Sequence, residues 1–474
     1  MQPFGIDMGP DSSSGIEAPK SDGLSPERDV APILKTEPHF QRSRSMAAGH
    51  HGFKGATVMS GVFNLSTSII GAGIMGLPAT MKVLGLPLGV LVLIAMGILT
   101  EISVEILIRT TTVQHVWSYS DLVHQTHGNN WRLVLDISIV IVNFGVCIVY
   151  LIICADVLSG TTPGGEYHEG MFMTWNGGES AWWTGRHFVL LIIIIVFLLP
   201  LLSFRHVDTL QYTSFLAVLL AVVFVMITVV IAAININNGT LPVPSFLPDF
   251  SSANAIMAMF SVIPIMATAY VCHFNVHPIY VELQERNEKT MLKVTRYSMT
   301  LCTIVYLLTS ISGYLLFGAS TANDVLVNFD RDLGIENSDV VNDIVRITYI
   351  FHLIFVFPVI FYSLRNIVDD LFFPNATTPL VDDSKRFWLS TAAELVLIYI
   401  GATVIPNMTL AFNITGATTT MIVGMLIPAM LALSDKSGVI VDWERKLAYF
   451  MIAFSILVSI TGLSSSIYYI VVHY

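Results

Sequence analysis

Residues 64–78 read Asn64-Leu-Ser-Thr-Ser-Ile-Ile-Gly71-Ala-Gly73-Ile-Met-Gly76-Leu-Pro78, an apolar run interrupted by three glycines and a proline. In a helix interior glycine costs about 1 kcal/mol and proline about 3 kcal/mol relative to alanine, so a continuous helix here is disfavoured. In a hydrocarbon setting an unwound stretch is tolerated only where it lines a cavity inside the protein, because lipid offers backbone N–H and C=O groups no partner. The same small residues also suit close helix packing, and on this segment alone both readings stand.

The setting is apolar along most of the chain. Of 474 residues, 54% are hydrophobic and 12% charged, with mean hydropathy +0.70, whereas soluble domains carry about 25% charged residues. A helix crossing the roughly 30 Å hydrocarbon layer needs about 20 apolar residues. By that ruler the runs near 57–80, 83–108, 133–158, 187–204, 210–234, 253–277, 294–317, 343–368, 387–406, 409–433 and 446–472 predict about eleven spans, an all-α membrane protein.

The sixth run holds a second interruption. It reads Ser261-Val-Ile-Pro264-Ile-Met-Ala-Thr268-Ala-Tyr270-Val-Cys272-His273-Phe-Asn275-Val-His277-Pro278, again with helix breakers and polar groups where lipid-facing residues are expected. Five runs fill 57–234 and five more fill 253–433, so the breaks fall at corresponding places in halves of similar length. Five crossings is an odd number, so the second half enters from the opposite side. That is the inverted repeat of secondary transporters, whose substrate site lies between two broken helices. The run 446–472 is then one extra helix closing a transmembrane region over 53–474. Freed N–H and C=O groups at such breaks suit the carboxylate and ammonium of an amino acid.

Basic loops stay cytoplasmic, and the 23 Lys and Arg residues are unevenly placed. With residues 1–52 inside, only Lys82, Arg186, Arg331 and Arg346 fall on the other side. That side instead carries Asp324, Asp330, Asp332, Glu336 and Asp339, and the glycosylation sequon Asn238-Gly-Thr240. The expected N-terminus is cytosolic, and an odd span count puts Tyr474 on the luminal or external side. Residues 1–52, rich in Ser, Pro, Gly and charge, read as a disordered cytosolic tail, in which Asp29-Val-Ala-Pro-Ile33-Leu34 has the form of an acidic dileucine sorting signal, a match so short that a featureless linker is the favoured reading. Met1 to Pro10 lacks a basic start and an apolar h-region, so the first span is expected to direct insertion.

Other function classes lose support. The net charge of -11 argues against nucleic acid as a partner. Cys147, Cys154, Cys272 and Cys302 sit inside apolar runs and suggest neither a disulfide framework nor a metal site. No nucleophile and base set, metal-ligand cluster, phosphate loop or cofactor motif is visible, so an enzyme is not expected.

Several motifs together resemble the amino acid/auxin permease family. Phe63-Asn-Leu-Ser pairs with Gly71-Ala-Gly-Ile-Met-Gly-Leu-Pro78, and Cys272-His-Phe-Asn-Val-His-Pro-Ile-Tyr-Val-Glu-Leu283 follows at the second break. Asn143-Phe-Gly, Val345-Arg346 with Phe357-Pro358, and Gly416-Ala-Thr-Thr-Thr with Leu426-Ile-Pro428 extend the resemblance over about 55–470. Within the family the chain is most similar to the plant vacuolar amino-acid exporter branch, and more distantly to sodium-coupled neutral amino acid transporters. The resemblance implies the leucine-transporter fold, a 5+5 inverted repeat plus one helix. It also implies secondary transport of amino acids, neutral ones first and acidic ones as a second class, across a vacuolar, other internal or plasma membrane. Carried over residue by residue, the substrate pocket comprises Ser66, Thr67, Gly71, Ala72 and Gly73 of the first span and Thr268 and Tyr270 of the sixth, with Asn143 and Tyr150 of the third closing it. For Asn143 and Tyr150, hydrogen bonding between helices is an equal reading.

Coupling is read from the eighth span. In sodium-coupled relatives the ion is held by carbonyls of the first span and a hydroxyl of the eighth, as a hard cation requires. Here Phe351-His352-Leu-Ile-Phe-Val-Phe357 offers no Ser or Thr, so transport is expected to be proton-coupled or to run down the substrate gradient. His352, ionisable at mid-membrane, is one proton candidate, with a structural hydrogen bond as the alternative. Glu101 and Glu105, one helical turn apart, are a second, against simple exposure near the cytoplasmic face. His273 and His277 stand at metal-ligand spacing without a third ligand, and packing hydrogen bonds explain them better. A sensor that binds an amino acid and signals through the cytosolic tail remains the alternative function.

Overall fold

The computed structural model describes residues 56–161, 167–205, 211–405 and 407–473. The tail 1–52 and its sorting sequence lie outside the described residues. The architecture is helical, with long helices α1 Val58–Ile69, α2 Gly73–Leu84, α3 Leu86–Gln114, α4 Asn129–Ser159, α5 Arg186–Leu202, α6 Gln211–Asn238 and α7 Ala253–Tyr270. There follow α8 His273–Glu282, α9 Glu288–Phe317, α10 Ser338–Phe372, α11 Ser384–Val404, α12 Met408–Ser434 and α13 Asp442–His473. A two-stranded ribbon, Gly160–Thr161 with His168–Glu169, follows α4.

Among the described residues nine helices are long and apolar enough to cross a membrane, or ten when α1 and α2, bent by 56°, count as one span. The expected fourth span corresponds to α5, an apolar helix whose length sits at the lower limit for crossing. Eleven therefore holds only if α5 spans. A π-helical stretch, Ile193–Leu198, ahead of Pro200 makes α5 irregular.

Polar side chains start these helices at the interruptions of the apolar pattern. Thr57 caps α1, Ser252 caps α7, Asn287 caps α9 and Asn407 caps α12, each side-chain oxygen accepting an otherwise unpaired N–H of the first turn. Asp383 does the same for α11, accepting from Lys385 and Arg386 N–H at 3.1 Å.

The two broken helices run antiparallel. The chain entering α1 lies beside the chain leaving α8: Ala56 N–H donates to Glu282 carbonyl oxygen at 2.8 Å, and Gln284 N–H to that of Ala56 at 3.0 Å. At the opposite end, Leu86 N–H, just past α2, donates to the Ser245 carbonyl oxygen ahead of α7 at 3.1 Å. These contacts define a near end, at Ala56, and a far end, at Leu84. α10 and α12 are the most enclosed, with 72% of their apolar windows buried, whereas α13 at 28% is peripheral.

At the near end a charge network pins α13 to this core. Arg109 of α3 reaches both carboxylate oxygens of the fully buried Glu444, at 3.1 and 2.8 Å, and pairs with Glu105 at 3.1 Å. Arg296 of α9 reaches Glu105 at 2.8 Å and Glu101 at 3.7 Å. Glu444→Ala should therefore lower stability by about 3 kcal/mol, the order expected when one partner of a buried pair is removed. Glu101→Ala, which loses only an exposed contact, should stay within about 1 kcal/mol. Thermal unfolding in detergent ranks the two, and equal losses would contradict the pinning role of Glu444.

Candidate functional site

Between α1 and α2 residues 70–72 leave the helical path, with Ile70 extended at φ −73°, ψ 97°. Between α7 and α8 the interruption is Val271 and Cys272, with Val271 at φ −65°, ψ 122°. The first helical turn after a break has N–H groups without intrahelical acceptors, and the last turn before it has free carbonyls. No side chain caps α2 or α8. Two positive helix starts, at Gly73 and His273, thus face two negative helix ends, at Ile69 and Tyr270.

The ends meet at one side chain. The Tyr306 hydroxyl of α9 lies 2.5 Å from the Ile69 carbonyl oxygen and 2.6 Å from that of Ala269. A hydroxyl has one proton, so it donates to one of these carbonyls at a time and the other keeps an unmet acceptor. Tyr349 of α10 donates to the Gly71 carbonyl oxygen at 2.8 Å. Neither tyrosine carries a signal in the sequence, because each looks like an ordinary aromatic in an apolar run.

A cavity of about 20 Å³, room for about one water, lies between the breaks. Gly71, Ala72, Gly73, Tyr150 and Thr268 line it, with Ser68 and the apolar Ile69, Val146, Val271, Phe274, Ile360 and Phe412. Of the residues expected from sequence, the structure brings those five to the cavity and leaves four outside it. Thr67 donates to the Ser214 carbonyl oxygen at 3.0 Å and ties α1 to α6. Tyr270 bonds Thr303 at 3.2 Å behind the break. Ser66 and Asn143 are fully buried, their side-chain polar atoms without a hydrogen-bond partner.

The glycines are set by close approach. A Cβ on Gly73 would sit 2.8 Å from the Ala269 Cα, backbone that has nowhere to move, and one on Gly71 would collide with the Tyr150 hydroxyl.

His352 stands beside the first break. Its Nδ1 is 2.7 Å from the Ala217 carbonyl oxygen of α6, its ring packs at 4.8 Å on Tyr349, and the Ile70 carbonyl also acts on the ring. Nε2 makes no hydrogen bond of ordinary geometry. Glu101 and Glu105 lie at the near end, held by Arg296 and Arg109 as described. His273 and His277 pack against α3. Ser103 donates to the Gly424 carbonyl oxygen and Thr111 to that of Leu107, so each hydroxyl accepts from its histidine Nε2–H, at 2.9 and 2.8 Å. Those nitrogens are thereby occupied, and among the described residues no group of three metal-ligating side chains occurs.

Two interrupted, antiparallel helices with uncapped ends at a small internal cavity define a membrane transporter of the inverted-repeat kind. Residues 54–468 match the family described as transmembrane amino acid transporter protein, and the chain belongs to that family. Its work is therefore amino-acid transport, not enzymatic catalysis. It is 46% identical to the Arabidopsis thaliana amino acid transporter AVT6E over 89% of this chain and 85% of that one. The fold is shared with MhsT in complex with L-phenylalanine, at TM-score 0.55, 15% identity and coverage of 87% of this chain and 99% of that chain. It is shared equally with an Eremococcus coleocola manganese transporter, at TM-score 0.56, 10% identity and coverage of 88% and 87%. The fold alone thus does not fix what is carried.

The glycine contacts give an ordered expectation. Gly73→Ala should abolish uptake in vesicles at wild-type membrane abundance, while Gly71→Ala should lose roughly tenfold and regain part of it with Tyr150→Phe, because a trimmed ring leaves room. Normal uptake by Gly73→Ala, or rescue of it by Tyr150→Phe, would contradict the packing described.

Proposed function

We propose that the chain moves neutral amino acids by alternating access at the cavity between the two breaks, coupled to protons and independent of sodium. The observation that carries this reading is the junction at Tyr306. Carbonyls of α1 and α7 compete for one hydroxyl proton, a place where a substrate ammonium supplies the missing donors, while the uncapped starts of α2 and α8 favour its carboxylate. Apolar walls and the lack of any charged lining residue among the described residues favour a neutral side chain over an acidic one.

His352 supports proton coupling. Nδ1 already meets the Ala217 carbonyl, and an imidazole that also donates from Nε2 must carry two protons. Proton uptake would let Nε2 bond the Ile70 carbonyl and so tie α10 to the break of α1. The resemblance to vacuolar exporters and the placement of basic residues support a vacuolar membrane, with the near end cytosolic.

Two assays on vesicles containing purified protein test this. A neutral L-amino acid should compete for uptake at least tenfold better than its methyl ester, since the ester lacks the carboxylate charge. Equal competition would remove the two-charge site. Replacing sodium by choline at fixed pH should leave uptake unchanged, and His352→Gln should flatten its pH dependence. Uptake that requires sodium would overturn the coupling scheme, and an unaltered pH profile in the variant would clear His352.

A further inference from the structure

Residues 318–333 between α9 and α10 form a plug at the far end, packed against α2 beyond the cavity-lining Gly73. Its 3-10 helix, Val325–Asp330, buries Val325, Leu326, Asn328 and Phe329. The Asn323 carbonyl oxygen comes within 3.8 Å of where a Cβ on Gly76 would be, one turn beyond the cavity-lining Gly73. Lys82 of α2 donates to the Thr321 carbonyl oxygen at 3.1 Å, and the ribbon residue His168 meets Asp330 at 2.6 Å.

At the root of the plug is Asp324, 6% exposed. Its Oδ1 accepts Leu326 N–H at 2.9 Å and starts the 3-10 helix, but Oδ2 is buried with no partner. The acid facing it is Asp156 of α4, which is itself paired with Arg186. Cys154 and Tyr349 also face it, from α4 and α10. The nearby cation, Arg346 of α10, is drawn to Asp330 and Asp343 ahead of Asp324. An ionised carboxylate with one bare buried oxygen and an acid for a neighbour is unfavourable, and a proton on Oδ2 removes that charge.

We propose that Asp324, set against Asp156, is a proton-binding site that latches the plug, so that acid at the far end closes the path from that side to the substrate cavity. This deepens the transport reading, on which it rests for what the plug covers. Burial first, and Asp156 second, push the Asp324 carboxyl up to about 7 from its ordinary 3.8. When the plug lifts, water solvates the group and its proton affinity returns toward the ordinary value. The closed plug therefore gains stability as pH falls through about 7, holds it fully below about 4, and loses it as pH rises again. A proton taken from the far side is held in the closed form and returns to that side when the plug reopens.

Hydrogen exchange of the segment 318–333, read by mass spectrometry on the full chain in lipid nanodiscs, tests the latch without needing a substrate. Asp324→Asn keeps the Oδ1 acceptor and cannot ionise. Exchange in the wild type, divided by that in Asp324→Asn at the same pH, cancels the chemical pH dependence of exchange. This ratio should approach one only below about pH 4 and rise about tenfold or more between pH 5 and pH 8. A ratio that is flat across this range overturns the latch. Should Asp324→Asn not fold, Arg346→Gln decides the matter: removing a cation must move the midpoint of the wild-type exchange profile to higher pH, and an unmoved or lowered midpoint overturns the proposal. Failed uptake with a pH-dependent plug would instead count against the transport reading, so the two failures are distinguishable.

Discussion

The close crossing of two interrupted helices is the constraint on which the rest of the molecule depends. Gly73 lies so near Ala269 that only hydrogen fits between them, and at that distance the ends of both helices converge on the Tyr306 hydroxyl. Packing and polarity are thus one problem. The absence of side chains brings the backbones together, and their proximity leaves carbonyls that no lipid could satisfy. Tyr306 and Tyr349 meet part of that need from α9 and α10, which are consequently fixed against the breaks.

The two ends of the bundle treat charge differently. At the near end Glu105 and Glu444 are each met by a guanidinium, which holds α3, α9 and α13 together. At the far end Asp324 keeps a bare oxygen and Arg346 has a buried Nε without a partner. Compensated charge suits a fixed scaffold, and uncompensated charge suits a part that changes its environment. That asymmetry fits a transporter in which one part rocks against another around a central site.

Much of the fold was legible in the chain because lipid makes length and apolarity decisive: the long spans fall close to the apolar runs. The first break was legible through Gly71 and Gly73, whereas at the second Pro264 and Pro278 sit inside α7 and α8 and the interruption falls between them, at Val271 and Cys272. The count was less secure at Arg186–Leu202, where a short run and a π-helical stretch blur the length criterion. Within the site, Gly71, Ala72, Gly73, Tyr150 and Thr268 reach the cavity. Thr67 and Tyr270 do not, because helix rotation decides which face a polar residue presents, and three or four positions of sequence cannot fix that rotation. Tyr306 was invisible for a related reason, since its role comes from contacts with residues more than 200 positions away at Ile69 and only 37 at Ala269.

The central claim is that an amino acid binds between the two breaks, and a structure of the protein in lipid with a neutral L-amino acid bound tests it most directly. The account predicts the ammonium within hydrogen-bond reach of the Ile69 or Ala269 carbonyl, with the Tyr306 hydroxyl displaced from that oxygen, and the carboxylate at the start of α2 or α8. An amino acid seated away from both breaks, with the Tyr306 contacts intact, would contradict it.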